Sequence, residues 1–409
     1  MFKKLLFLLL LSFLTTFIQA QTNPSCDGKR YVTDLFKDTT RETVQYGANS
    51  DLYGNGQYLK MEVMQPKTDT VKRRPLIILA FGGGFLYGMR TEQYMIDLCQ
   101  TFAVKGYVAV SIDYRLIPFG LYGDPVSSVA VQVQAIQDMR ASIRYFVKDA
   151  QTINKYKIDT NNIFIGGVSA GAITAMQTAY LDTLRTANIP SGVLDIIRQQ
   201  GGIDGNSGNP GYKFKIKGVL SLSGGMLSAD LFRKGDPAYL SIHGTKDSTL
   251  IYGKHAGLDG DGACYVAALA AGVPALHVPV QGGDHVGFYA DTSSYLPVVT
   301  AFRASSALFM KKLICNESLL PTNNISGNLE TEVYPNPTND VLNVRIADDD
   351  YSTNWNTELL DITGKRVAAQ KFESNQFSLS RNNIPSGLYF LRITNALNNF
   401  STVKKVFFE

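Results

Sequence analysis

The clearest indication of the fold is the stretch Asn162-Ile-Phe-Ile-Gly-Gly-Val-Ser169-Ala-Gly171. An apolar run typical of a buried strand leads into a G-x-S-x-G turn, and a helical pattern follows from Ala170. Such a strand, turn and helix raise the serine hydroxyl above the end of a sheet, and only small residues at positions 167 and 171 allow so sharp a bend. The pattern predicts that Ser169 is a nucleophile, with a helix N-terminus behind it that favours negative charge.

Strands and helices alternate around this stretch. From residue 74 to about residue 315, apolar β-rich runs alternate with helical patterns, which predicts an α/β fold with a mostly parallel sheet flanked by helices. An antiparallel hairpin over 43–65, turning at 54–56, is expected at the edge of this sheet. The clearest strands are predicted at 75–80, 107–113, 162–166, 217–221, 238–242 and 275–280, and the clearest helices at 94–105, 126–149, 170–184 and 262–271.

A run of three glycines, Phe81-Gly-Gly-Gly-Phe85, directly follows the first of these parallel strands. Acyl transfer builds an oxyanion, which needs backbone N–H groups that no side chain obstructs. We expect the amides of Gly83, Gly84 and Ala170 to form this oxyanion hole. A phosphate-binding loop is the alternative, but the G-x-G-x-x-G fingerprint and the Walker lysine are both absent.

The position of each histidine narrows the choice of a catalytic base. A serine hydroxyl needs a base to take its proton and an acid to hold that base in the correct tautomer. Of the four histidines, His285 lies in a glycine-flanked loop directly after the strand 275–280. His277 lies inside that strand and is expected to face the core, while His243 lies at the end of the strand before it. His285 is the predicted base, and His255 is the alternative.

Asp247 is the predicted acid of this group. It lies a few residues past the strand 238–242, in a loop at the carboxyl end of the sheet. Asp284 is the competitor, but a residue adjacent to His285 points away from its ring. The order Ser169, Asp247, His285 along the chain is the order expected when the serine lies on a strand-to-helix turn of this kind.

Other charged residues have structural interpretations. Asp138, Arg140 and Arg144 lie on a predicted helix at spacings close to one turn, and ion pairs on the helix surface are expected. Asp259 and Asp261 are expected to be turn residues in a glycine-rich loop, with a calcium site as the alternative, although the full twelve-residue pattern of a calcium loop is missing. The glycine-rich segment 201–211 predicts a surface loop beside the site or a lid, with a passive connector as the alternative.

The first twenty residues have the layout of a cleavable secretory signal. Lys3 and Lys4 precede an apolar run over 5–18, and the small Ala20 closes it. An uncleaved anchor is the alternative, but the run is shorter than the roughly 20 residues that cross a bilayer. The remainder of the chain carries no comparable run, so no transmembrane segment is expected after signal removal.

Charge and cysteine content limit the partners. The net charge of +4 over 409 residues comes from scattered basic residues, so no nucleic acid partner is expected. In an exported chain at least one disulfide is expected, although four cysteines allow three pairings and buried free thiols are the alternative. No pair has CxxC spacing, so a zinc site is not expected. The cysteines are Cys26, Cys99, Cys264 and Cys315.

Composition divides the chain into segments. After the signal at 1–20, residues 21–316 are predicted to form the α/β catalytic domain and 317–330 a polar linker. Residues 331–409 are predicted to form a small all-β sandwich, because short strands of period two alternate with turns. These strands are expected at 341–346, 358–361, 377–379, 388–394 and 402–408.

Residues 30–315 resemble the carboxylesterase and hormone-sensitive-lipase-like branches of the α/β-hydrolases. The matching pieces are FGGGF at 81–85, SIDYRL at 111–116, GGVSAGA at 166–172, HGTKD at 243–247 and GGDH at 282–285. One departure is Phe81, where many relatives have histidine. The resemblance implies a serine esterase with Ser169, Asp247 and His285 as its triad.

Residues 332–409 resemble the C-terminal sorting domain of the type IX secretion system of Bacteroidetes. The matching pieces are VYPNPTNDVL at 333–342, LLDITGKRV at 359–367 and IPSGLYFLRI at 384–393. This resemblance implies an interaction with that secretion machinery, passage across the outer membrane, removal of the domain, and release or attachment at the cell surface.

These expectations together describe a secreted serine carboxylic ester hydrolase that works through an acyl-enzyme intermediate. A small-molecule or polymer ester would be the substrate, and neither a metal nor an organic cofactor is expected. The same groups can cleave amides, so a serine peptidase or amidase is one alternative. An inactive hydrolase fold that serves as a surface binding module is the other.

Overall fold

The computed structural model describes residues 26–182, 186–255, 257–287, 296–317, 330–347, 354–361, 365–395 and 401–409. The predicted signal at 1–20 and most of the predicted linker lie outside these residues. Two separate apolar cores are present in the described part, one between residues 31 and 314 and one between residues 342 and 408. Each core is built by a different class of secondary structure.

The first core surrounds an eight-stranded sheet. Its strand order is β1-β2-β4-β3-β5-β6-β8-β10, and every pair from β4 to β10 is parallel. The predicted α/β fold with a mostly parallel sheet is therefore confirmed. In chain order the strands are β1 (Thr39–Ser50), β2 (Gly56–Pro66), β3 (Arg74–Ala80), β4 (Val108–Ile112), β5 (Ile158–Val168), β6 (Gly218–Leu222), β7 (Gly225–Met226), β8 (Ala238–Gly244), β9 (Asp259–Gly260) and β10 (Ala275–Val280), with β7 and β9 forming a separate short pair.

The predicted hairpin lies at one edge of this sheet. Strands β1 and β2 pair antiparallel from Thr39 opposite Pro66 to Ser50 opposite Gly56, and β2 continues antiparallel onto β4. Side chains of β1 alternate between partly buried and exposed, whereas β3 is buried along its whole length. This contrast is what an edge strand and a central parallel strand should show.

Helices flank the sheet. The four predicted helices are found with ends shifted by a few residues, and α4 and α6 were not predicted. Helix α2 begins after Asp124, whose carboxylate accepts the Ser127 N–H at 2.7 Å. The described helices are α1 (Gln93–Ala103), α2 (Pro125–Gln151), α3 (Ala170–Tyr180), α4 (Ser191–Gln199), α5 (Asp261–Ala270) and α6 (Leu296–Ile314).

Surface ion pairing was the wrong interpretation for Asp138 and Arg144, because both are buried. Much of α2 is buried where it packs on α3, β5 and β1, so these residues have no solvent to face. Asp138 accepts from the Arg115 guanidinium at 2.8 Å, and Arg144 donates to the Gly208 carbonyl. Arg140 pairs with the more exposed Asp204.

These contacts also define the glycine-rich segment 201–211. Ser207 is buried and its carbonyl accepts the Ala48 N–H of β1 at 2.9 Å. Asn209 donates to the Tyr46 carbonyl, and Arg144 binds the segment from α2. The segment is thus anchored between the hairpin and α2.

The second core belongs to an all-β sandwich. A three-stranded sheet, β11-β12-β15, and a four-stranded sheet, β14-β13-β16-β17, contribute inward side chains such as Leu342 and Leu391 to one cluster. The predicted β-sandwich is confirmed, with β11 and β14 as additions. The strands are β11 (Glu330–Tyr334), β12 (Val341–Ala347), β13 (Trp355–Leu360), β14 (Arg366–Phe372), β15 (Gln376–Ser380), β16 (Gly387–Asn395) and β17 (Ser401–Phe408).

A disulfide links the two ends of the larger core. Cys26 and Cys315 are bonded across a separation of 289 residues, so the segment before β1 is tied to the end of α6. Cys99 and Cys264 are buried thiols. In the described ranges, no helix combines the length and the apolar character that crossing a membrane requires.

Candidate active site

Ser169 lies on a sharp turn between β5 and α3. Its backbone has φ 52° and ψ −117°, a left-handed conformation that is strained for a residue with a side chain. A Cβ on Gly167 would lie 2.5 Å from the Ala80 carbonyl oxygen, and one on Gly171 would lie 2.1 Å from the same atom. The chain can turn here only because both positions are glycine, as the sequence predicted.

The structure brings the three predicted triad residues together. The Oγ of Ser169 lies 2.8 Å from Nε2 of His285, and Nδ1 of His285 lies 2.6 Å from Oδ2 of Asp247. Parallel strands explain the meeting, because β5, β8 and β10 end at the same edge of the sheet and each is followed by one of these residues. A hydroxyl, an imidazole and a carboxylate in this order can transfer a proton away from the serine.

The Asp247 carboxylate is fixed by hydrogen bonds from two directions. Its Oδ1 accepts the backbone N–H groups of Thr249 and Leu250, each at 2.8 Å, while Oδ2 faces His285. Its side chain is fully buried. Burial opposes ionisation, but hydrogen bonds from His243, His285 and the Leu250 N–H hold the pKa of Asp247 well below its usual value. The group is therefore an anion at neutral pH.

The glycine loop lies beside the serine. A Cβ on Gly82 would lie 3.3 Å from the Ser169 Cβ, so the loop passes directly against the turn. Gly83 and Gly84 have φ of 121° and 61°, and a side chain at Gly83 would meet the Tyr87 carbonyl at 2.1 Å. Among the described residues, nothing accepts a hydrogen bond from the N–H of Gly83, Gly84 or Ala170. The three predicted oxyanion-hole amides therefore remain available for a ligand.

The structure gives other contacts to His255 and Asp284, the alternative base and acid. The backbone N–H of His255 donates to Asp259, and Asp284 accepts the Gly287 N–H in its own turn. His277 is buried as predicted, with its ring nitrogens facing the hydroxyls of Ser241 and Tyr252. Burial lowers the pKa of His277 to about 3, so this ring is neutral.

Asp261 was wrongly interpreted as a turn residue. It is fully buried at the start of α5, where its carboxylate accepts from Ser221, Tyr239 and the Gly224 N–H. It also lies 3.0 Å from Nδ1 of His243, which is buried as well. The glycine-rich surroundings of Asp261 suggested a turn, and no local sequence pattern indicated that His243 would contact Asp261 and Asp247.

No cluster of three or more metal-ligating side chains is present in the ranges that the structure describes. The site combines a hydroxyl, an imidazole, a carboxylate and backbone amides that have no acceptor among the described residues, and such groups can act together on an acyl carbon.

Two family models match this chain. Residues 61–226 match the BD-FAE family, a segment that contains the glycine loop and Ser169. Residues 332–409 match the family described as "Secretion system C-terminal sorting domain". The second match coincides with the β-sandwich, which indicates delivery of the chain to the cell surface or outside the cell.

Similar proteins include several esterases. Neutral cholesterol ester hydrolase 1 of Rattus norvegicus is 29% identical over 125 residues, which are 29% of this chain and 28% of that protein. Gut esterase 1 of Caenorhabditis briggsae is 27% identical over 147 residues, or 36% of this chain and 25% of that protein. The chain thus spans about a quarter of the length of these relatives. A solved structure of a Thermogutta terrifontis esterase with bound propionate has a TM-score of 0.49 at 19% identity, covering 66% of this chain and 94% of that one.

Proposed function

Because residues 61–226 match the BD-FAE family and residues 332–409 match a secretion sorting domain, we propose that the chain is an exported serine carboxylic ester hydrolase. The observation that carries the proposal is the hydrogen-bonded series from Ser169 through His285 to Asp247, beside three amides without an acceptor. The proposed substrate is a carboxylic ester, in a small molecule or on a polymer.

The mechanism follows from the geometry. Nε2 of His285 takes the Ser169 proton as Oγ attacks the ester carbonyl, and Asp247 stabilises the resulting imidazolium. The amides of Gly83, Gly84 and Ala170 donate to the oxyanion of the tetrahedral intermediate. The intermediate collapses when His285 returns the proton to the departing alkoxide oxygen, which leaves as the alcohol and leaves an acyl group on Ser169.

Deacylation repeats these steps with water. His285 removes a proton from a water molecule, whose oxygen attacks the acyl carbonyl, and the same amides bind the second oxyanion. The proton then passes from His285 to Ser169 Oγ as the carboxylic acid departs. The site returns to its starting state, and each turnover consumes one ester and one water.

Export is the part of the proposal that the sorting domain supports. The β-sandwich is proposed to bind the type IX secretion machinery, which carries the hydrolase domain across the outer membrane. The Cys26–Cys315 disulfide fits an oxidising compartment, because such bonds persist there and are rare in a reducing cytosol.

Hydrolysis of p-nitrophenyl esters of graded acyl length tests the proposal. We expect Ser169→Ala to lower kcat/KM by about 10⁴-fold or more, because it removes the attacking oxygen. Ser191→Ala, at an exposed serine that begins α4, is the matched control and should keep the wild-type rate. Equal rates for the wild type and Ser169→Ala would remove Ser169 from the mechanism.

A further inference from the structure

The Asp247 carboxylate contacts a buried histidine, His243, in addition to His285. His243 is near the end of β8 and Asp261 begins α5, and the side chains of both are fully buried. The proposed ester hydrolysis assigns no task to either residue.

The contacts of His243 define its protonation state. Its Nδ1 lies 3.0 Å from Asp261 Oδ2, and its Nε2 lies 2.9 Å from both Asp247 Oδ2 and the Leu250 carbonyl oxygen. A carbonyl oxygen and two carboxylates can only accept hydrogen bonds, so both ring nitrogens of His243 must donate. An imidazole with a proton on each nitrogen is the cation.

Asp261 is fixed as the counter-ion of this cation. Its carboxylate accepts from the Ser221 hydroxyl on β6, the Tyr239 hydroxyl on β8 and the Gly224 N–H. Every one of these partners is a donor, so the carboxylate is suited to be an anion. Burial opposes its charge, but the hydrogen bond from His243 and those from Tyr239 and Ser221 lower the pKa of Asp261.

The charge balance around His243 favours its protonated form. Burial acts against the charge, but the hydrogen bonds to Asp247 and Asp261 raise the pKa of His243 to about 9. The anions Asp247 and Asp261 therefore lie on either side of the His243 cation. The other groups around His243 are aromatic rings, a thiol and the triad imidazole. These groups are Tyr239 on β8, Tyr252 in the loop after β8, Cys264 on α5, His277 on β10 and, through Asp247, His285.

One oxygen atom connects this pair to the triad. Oδ2 of Asp247 lies 2.9 Å from Nε2 of His243 and 2.6 Å from Nδ1 of His285, while Oδ1 is occupied by two backbone N–H groups. The carboxylate cannot rotate without losing one of these contacts. The nearby positive charge also makes this oxygen less basic toward His285.

We propose that His243 is a positioning residue of the triad: a buried imidazolium, anchored by Asp261, that holds the Asp247 carboxylate toward His285 and limits its basicity. The assignment of a triad rests on the proposed function, whereas the charge on His243 does not. The two parts can therefore be tested separately.

The charge is tested by NMR of the full-length protein labelled with ¹⁵N-histidine. At pH 8 a histidine of ordinary pKa is neutral, with a proton on one ring nitrogen. We expect one histidine to keep protons on both nitrogens at this pH, and its signal to persist when each of the other three is replaced by Gln. The absence of such a doubly protonated ring from the wild type would overturn the proposal, whether or not any variant folds.

The positioning role is tested by the pH profile of kcat/KM, with the active-site concentration set by fluorophosphonate titration. His243→Gln should lower kcat about 10²-fold with a smaller change in KM, the loss expected from a displacement of about 1 Å. The acidic limb of the kcat/KM profile of His243→Gln should move up by about one pH unit. Without the cation at position 243, the negative charges of Asp247 and Asp261 favour the protonated form of His285.

A double variant separates charge from packing. His243→Gln combined with Asp261→Asn removes one charge of each sign, so the acidic limb should return toward its wild-type position. A purely structural role predicts an unmoved limb in His243→Gln and no return in the double variant, and either result would overturn the positioning role. A wild-type protein that neither hydrolyses esters nor reacts with the probe would instead refute the proposed function, and the NMR experiment would still decide the charge.

Discussion

Among single residues, Ser169 depends for its position on two neighbouring glycines, Gly167 and Gly171, where a side chain would not fit. The end of β5 and the start of α3 pass so close to the end of β3 that positions 167 and 171 have no room for a side chain, and Ser169 turns between them in a left-handed backbone conformation. The glycine loop also passes against the serine at Gly82, so the turn and this loop form one packed unit. The position of the Ser169 hydroxyl therefore depends on residues that have no proposed part in the chemistry.

Replacement of Gly171 by alanine tests this dependence. The new Cβ would lie 2.1 Å from the Ala80 carbonyl oxygen, which is backbone and cannot rotate away. We expect a loss of about 3 kcal/mol or more in the free energy of unfolding, measured with urea, because overpacking forces the backbone to shift.

Gly192→Ala is the matched control for that substitution. Gly192 lies within α4, and a Cβ there would have no atom within 4 Å. The change should be neutral or stabilise the protein by up to about 1 kcal/mol, since alanine favours a helix over glycine. Similar results for the two variants would contradict the close packing of the turn.

The residues of the site differ in how well the sequence predicted them. Ser169, Asp247 and His285 could be found because each follows an apolar strand, and the structure does bring them together. Asp261 could not be found, because burial of a carboxylate depends on partners from distant strands and leaves no local pattern. His243 was noticed only as a residue at a strand end, and its cationic state follows from contacts that appear after folding.

Among the secondary-structure elements, the parallel pair of β8 and β10 positions Asp247 and His285, the proposed acid and base. His277 on β10 lies opposite Ser241 on β8 in the strand register and also faces its hydroxyl. Its ring is buried and neutral, while the ends of the same two strands lead to Asp247 and His285. The interior of this pair is therefore sensitive to pH independently of the triad.

This sensitivity gives a prediction for stability. The pKa of His277 in the folded protein, about 3, lies below the ordinary histidine pKa of 6.5, so below pH 6.5 the unfolded chain binds a proton that the folded chain does not. Its contribution to stability is complete above pH 6.5 and falls as the pH decreases. Between pH 6.5 and 4.5 we expect a loss of about 2 to 3 kcal/mol from this residue.

Urea unfolding of the wild type and His277→Gln over that window measures the effect. Asp247 and Asp261 have lowered pKa values, so their contributions disappear only at lower pH, and that of His243, with its raised pKa, disappears at higher pH. The variant should show a flatter dependence of stability on pH. An unchanged slope would show that His277 is not a buried neutral ring.

The elements that the sequence failed to predict were missed for different physical reasons. The strand β14 has no buried residue, so it lacks the alternation of a half-buried strand. The helix α4 does carry an apolar face, with Val193, Leu194 and Ile196 packed on the core beside buried Ile197, but nine residues are too few to distinguish a helix from a strand by pattern. Central strands such as β3 were predicted because their whole length is apolar.

At the scale of the whole molecule, the chain combines two folding units with one covalent closure. The hydrolase core and the sandwich core are separate clusters. The Cys26–Cys315 bond closes the hydrolase unit around nearly its full length, just before the residues that lead to the sorting domain. A bond that spans so long a loop limits the unfolded state strongly in the chain-entropy account. This closure suits a domain that is delivered outside the cell, where disulfides persist.

Covalent labelling of the full-length protein shows whether the Ser169 hydroxyl is activated. A fluorophosphonate probe reacts with a serine only when a base activates its hydroxyl and amides bind the developing charge, so it reports the whole site at once. After digestion and mass spectrometry, we expect one adduct per chain, on Ser169. Labelling of His285→Ala should be far slower than labelling of the wild type. No adduct, or an adduct on another residue with Ser169 unmodified, would contradict the activation of Ser169.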